Sequence, residues 1–163
     1  MQNTQKKFES FDSKDYVQIF PSSRKFYDQE IENLQKEIQG ITNKLTEEFG
    51  VRTEYELLYN RFIVFAFQFE DKTKMNATYN KLNDCIHTLE SSMEITLLDR
   101  MNVCFKQGEY VQYKDLKSFK KLIKNKAVSA KTIVFDNLVT TVEEYREYWE
   151  LPILETWYGR FFK

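Results

Sequence analysis

Two polar pairs stand beside segments that read as strands: Asp99-Arg100 and Asp136-Asn137. A carboxylate next to a guanidinium can orient a polar substrate, since the planar fork donates in pairs to an anion while the acid accepts from a donor. Brought into one cleft, these four side chains would make an enzyme-like site. The simpler reading is an ion pair at the first position and an Asx turn at the second, and it is the one favoured here. Other catalytic sets are missing. His87 is the only histidine, and it lies off the apolar stripe of its helix, facing solvent without partners for a triad or a metal site. Cys85 and Cys104 fit no zinc spacing and read as buried, inert thiols. No metal or cofactor is expected.

Ionic chemistry is concentrated elsewhere. Lys114 to Lys131 holds seven lysines against Asp115 alone, a local charge of +6. Lys117, Lys120, Lys121 and Lys124 form a basic patch on an amphipathic helix whose dry side carries Leu116, Phe119, Leu122 and Ile123. Such a face can bind RNA, acidic lipid or an acidic partner. The simpler expectation is a solvated face neutralised by Glu143, Glu144 or Glu147. Net charge is −1, so the molecule as a whole has no electrostatic reason to seek nucleic acid.

Apolar recognition is the third possibility. Both tryptophans, Trp149 and Trp157, fall in the last fifteen residues beside Tyr145, Tyr148, Tyr158, Phe161 and Phe162. A tail this aromatic must dock, as the lid of a core or as a recognition surface. Trp149, Trp157 and Arg160 therefore join Asp99, Arg100, Asp136 and Asn137 as candidate ligand-binding residues.

The elements that must position these groups follow from periodicity. A polar tail is expected over 1–13. Tyr16 to Phe20 reads as a strand. Ile31, Leu34, Ile38, Ile41, Leu45 and Phe49 form one helical face, with Asp28 as N-cap and Gly50 past its end. Two strands follow around a tight turn near Tyr59-Asn60. In the second, Ile63, Phe65 and Phe67 point one way while Phe62, Val64 and Ala66 point the other. Both its faces must be covered. A helix from Met75 to Met93 and a strand from Arg100 to Phe105, with Met101, Val103 and Phe105 on one face, complete a βαββαβ order, the ferredoxin-like arrangement. That module occupies 14–106. An extension, 107–163, is expected to supply strand, basic helix, strand, a short helix capped by Thr141 and Glu144 and ended by Pro152, and a last strand from Trp157 to Phe162. Its task is to cover the second sheet face, within a single α+β domain of 14–163.

The longest apolar run, Phe62 to Phe67, is far below a membrane span of about 20 residues. No signal peptide is visible, and two cysteines suit a reduced, cytoplasmic setting.

Several strings, namely YNRFIV (Tyr59 to Val64), LLDRM (Leu97 to Met101), TIVFDNLVTT (Thr132 to Thr141), WELP (Trp149 to Pro152) and the final Trp157 with RFF, resemble a family of small bacterial proteins labelled "ABC transporter ATPase". The resemblance spans roughly 15–162. Where that family carries a Gly-Cys-Ser-Ile-Asp-like segment before its second helix, this chain reads MNATYNK, so a function resting on that cysteine would be lost. The label finds no chemistry here. A phosphate-cradling loop needs GxxxxGK[ST], and none of Gly40, Gly50, Gly108 and Gly159 precedes a lysine. Residues 101–157 also resemble the bacterial GYF-2-like domain, through Leu122-Ile123, Thr132-x-Val134 and the Trp149 to Pro152 string. That resemblance implies an adaptor role, although the Gly-Tyr-Phe tripeptide is absent. The expectation is a non-enzymatic binding or adaptor protein, monomer or homodimer, with a protein partner.

Overall fold

Strand β3 (Phe62–Gln68) organises the molecule, because six successive residues from Phe62 to Phe67 are buried. The structure, a computed structural model, describes residues 8–162. β3 is central in a three-stranded antiparallel sheet, between β1 (Tyr16–Pro21) and β2 (Arg52–Leu58). Register places Phe65 opposite Gln18 and Tyr55. The β2–β3 connection turns through Tyr59 and Asn60, both at positive φ, and Arg61 N–H closes it on the Leu58 carbonyl.

Each face of that sheet is packed. Ile63, Phe65 and Phe67 meet α1 (Asp28–Phe49) through Leu34, Ile38 and Leu45, and α2 (Met75–Met93) through Leu82 and Ile86. The α1 stripe is the one its sequence period predicts. Its N-cap position is Tyr27 rather than Asp28: the Tyr27 N–H donates to Glu30 Oε1, which is also held by Arg24. Gly50 adopts φ 66 and bonds back to Thr46, a left-handed stop that costs a glycine little.

Phe62, Val64 and Ala66 pack on the other side against Cys104, Phe135, Val142, Tyr145 and Trp149. These come from a second antiparallel sheet and from α4 (Val142–Tyr148). That sheet has the order β5 (Tyr110–Lys114), β4 (Val103–Gln107), β6 (Ile133–Phe135), β7 (Glu150–Pro152). On its far side Val103, Phe105 and Val134 pack against α3 (Leu116–Lys124) through Phe119 and Ile123. The architecture is α+β with two antiparallel sheets.

Three expectations need correction. The ferredoxin-like sheet lacks its fourth strand, because β4 pairs with β5 and β6 and not with β1. The free edge of β1 is occupied instead: Val17 N–H donates to Thr140 O, Tyr16 bridges Thr141, and Arg100 Nε donates to Ile19 O at 2.6 Å. Next, Trp157–Phe162 is a 3₁₀ turn and not a strand. Its aromatics sit at 157, 158, 161 and 162, a helical spacing with no alternation. Gly159 permits the turn, since a Cβ there would come within 3.1 Å of the Leu154 carbonyl oxygen. Lastly, Pro152 does not merely stop α4 but pairs with Ile133 in β7 at the sheet edge, where a missing N–H costs no ladder bond. Of the polar tail expected over 1–13, residues 1–7 lie outside the described residues, while Phe8 and Phe11 are buried against Tyr145 and its neighbours.

Candidate functional site

Arg100 enters the site from a turn just before β4. Asp99 does not pair with it. Asp99 Oδ1 accepts from Met101 N–H and Oδ2 from Asn102 Nδ2, each at 3.0 Å, so this acid is spent on an Asx turn. The Arg100 guanidinium stacks over the Phe20 ring at 4.5 Å and donates to Ile19 O and Gln18 Oε1. Both acceptors are neutral. Among the described residues no carboxylate forms an ion pair with Arg100, and burial holds its pKa below the ordinary arginine value. Two of its five N–H groups are used.

Asp136 and Asn137 divide their work. Asp136 Oδ1 accepts from Leu138 N–H, the expected Asx turn. Asn137 is buried, accepts from Trp149 Nε1 at 3.0 Å and donates towards Cys104 Sγ at 3.6 Å. Burial pushes the Cys104 thiol up to about 12, which leaves it protonated and unreactive. Trp149 is fully buried against Phe62, Phe135 and Tyr145, so it belongs to the core and not to a ligand site.

Arg100, Asp136 and Asn137 nonetheless line one cleft of about 300 Å³, opposite Trp157 and Tyr158. Its rim is apolar and open: Met101 is 67% exposed, Leu138 55% and Trp157 45%. Burial raises the Tyr158 hydroxyl to about 12, with the Asp136 charge adding to it. The cleft therefore offers one cation, two acids (Asp136 and Glu155) and a tyrosine hydroxyl that stays protonated, inside a ring of hydrophobic side chains.

No protein-family model matches the chain, and no curated protein or solved structure gives a significant match.

Arg160 lies elsewhere. With Lys120, Lys124, Lys126, Phe161 and Phe162 it lines a separate groove of about 580 Å³ between α3 and the terminal turn. Lys117 and Lys121 sit on the same helix outside the groove lining. The acids expected to neutralise this face do not reach it. Glu144 accepts from Thr140 N–H and Thr141 N–H and caps α4, and no ion pair among the described residues joins any of these cations. His87 is exposed on α2, 3.3 Å from Glu90. Among the described residues no cluster of His, Cys, Asp and Glu could hold a metal, and no helix is long and apolar enough to cross a membrane.

Met101, Leu138 and Tyr158 were missed as site residues. Met101 reads in sequence as an inward strand residue, but the Asx turn at Asp99 delays β4 to Val103 and swings it outward. No period marks Leu138.

Proposed function

We propose that this chain is a non-catalytic binding or adaptor protein whose recognition surface is the cleft between Arg100-Met101 and Trp157-Tyr158. One observation carries the reading: three of its large exposed apolar side chains line one cleft with an arginine whose hydrogen-bond acceptors, Ile19 O and Gln18 Oε1, are both neutral. A guanidinium shielded from water is stabilised by an anion, and a hydrophobic rim excludes the water that would weaken that bond. The matching ligand is a protein segment that presents an apolar side chain beside a carboxylate. Catalysis has no comparable support. Asp99 is held in a turn, Asn137 is bonded to Trp149, the Cys104 thiol is inert, and no histidine lines the cleft. The bacterial family resemblance, the GYF-2-like outline of 101–157 and a cytoplasmic setting belong to the same proposal.

The test selects peptides from a random displayed library on the full chain and measures them against Met101→Ser and Trp157→Ser, two exposed changes that spare the core. Selected sequences should pair an acidic residue or free C-terminus with a large apolar one. They should lose about tenfold or more in affinity on either variant, as deletion of a central apolar anchor does. Peptides that lack acids, or that bind both variants like the parent, overturn the reading.

A further inference from the structure

The strongest unassigned feature is the basic groove, and three observations set it apart from an ordinary solvated face. First, Lys117, Lys120, Lys121 and Lys124 recur at i, i+3, i+4 and i+7, which stacks four ammonium groups along one side of α3. None of them is ion-paired among the described residues, although like charges so spaced destabilise a helix. The one acid within 114–131, Asp115, is committed to capping α3 through Ser118 N–H at 2.8 Å.

Second, Lys126 follows the helix at φ 59, a left-handed position where glycine or asparagine would sit with less strain. Lys126 and Ala127 N–H groups close the helix end on Ile123 O and Leu122 O. The chain thus holds a third groove-lining lysine at a backbone position that disfavours it.

Third, the groove has an aromatic floor. Phe161 and Phe162 line it, Lys120 Nζ lies 4.5 Å from the Phe161 ring centre, and Arg160, whose guanidinium lies 5.3 Å from the Trp157 ring centre, lines it too. No acid is among the lining residues.

We infer that this groove binds single-stranded nucleic acid, with Lys120, Lys124, Lys126 and Arg160 on the phosphates and Phe161 and Phe162 against the bases. Only Ile123, Phe161 and Phe162 of its lining are apolar, which is little for insertion into a lipid surface. The ring floor argues against a purely acidic peptide, whose carboxylates would use the lysines and leave the phenylalanines idle. A strand uses both, because each nucleotide brings one anion and one stacking face, and stacking of this kind tolerates any sequence. The net charge of −1 is no obstacle, since the attraction is set by charges within a Debye length of the groove, about 8–10 Å.

Fluorescence polarisation of a labelled oligouridylate of about eight nucleotides, titrated with the full chain, tests this. Four phosphate contacts predict a slope of log affinity against log salt of about −3. Lys120→Glu combined with Lys124→Glu should lower affinity about a hundredfold at low salt, and Phe162→Leu, which keeps bulk but removes the ring face, about fivefold or more. Met101→Ser should leave it unchanged, which separates this site from the cleft. Circular dichroism confirms that each variant is folded. Absence of binding, equal binding of polyglutamate of the same length, stronger binding to phosphatidylserine vesicles, or indifference to Phe162→Leu would each overturn the inference.

Discussion

Trp149 and Trp157 stand eight residues apart in one aromatic run, yet they live in different surroundings. Trp149 is fully buried between the two sheets, ringed by Phe62, Phe135 and Tyr145, with its N–H on Asn137. Trp157 is 45% exposed, touching Tyr158 and Phe161 at the mouth of a cleft. The difference lies in how fully the ring is covered. An aromatic enclosed on every side becomes part of the core; one left half open at a cleft stays available to a partner.

The comparison can be broken most forcefully at Trp149. Replacement by Ala should destabilise the fold by about 3–5 kcal/mol, read from the midpoint of urea unfolding. A cost below about 1 kcal/mol would mean that the sheets are not held by this ring. Asn137→Ala comes next. It leaves the indole N–H without its acceptor, and a loss of about 1–3 kcal/mol is expected by the same assay. Thr141→Ala removes the cap that positions α4 and should cost about 1 kcal/mol.

A pH series sharpens the same contrast. Backbone donation from Thr140, with help from Thr141, holds the Glu144 carboxyl below its usual range. The folded value is lower than the unfolded one, so this contribution is complete above the ordinary glutamate pKa of about 4.3 and disappears as pH falls through the folded value. Glu144→Gln should flatten that part of the acid limb of a thermal-melt profile; an unchanged limb assigns the acid loss to other carboxylates. Smallest is Trp157→Ala, with an expected cost of about 0.5 kcal/mol or less, alongside loss of the acrylamide-quenchable fraction of tryptophan fluorescence. A large stability loss there would make Trp157 a core residue and remove the contrast.

Much of the scaffold was legible because its signals are local. The period of α1, the two-sided burial of β3 and the Thr141–Glu144 box each depend on residues within one element. The aromatic tail was read as a cover for the second face, and Tyr145 and Trp149 do cover it. Misreadings arose where partners are distant in sequence. β4 chooses β6 over β1, a choice between two non-local pairings that no period of its own can reveal. Phe8 and Phe11 are isolated rings in a polar stretch, and only Tyr145 and Arg52, far along the chain, explain their burial. At the site, Asp99-Arg100 reads as an ion pair until Met101 and Asn102 claim the acid and Ile19 and Gln18 claim the arginine. The grouping of Met101, Leu138 and Trp157 was out of reach for the same reason: it exists only once three loops meet.

The seal on β1 also bears on how the polypeptide is made. Thr140 and Thr141, which close that strand's outer side, lie roughly 120 residues downstream of it, so at about 5–20 residues per second a ribosome exposes β1 for some 6–24 s before its cover is synthesised. During that interval the nascent chain carries an open template for strand addition, and chains stalled or truncated before residue 140 keep it permanently. Such fragments should polymerise where the full-length product does not, and should depend on chaperones for solubility.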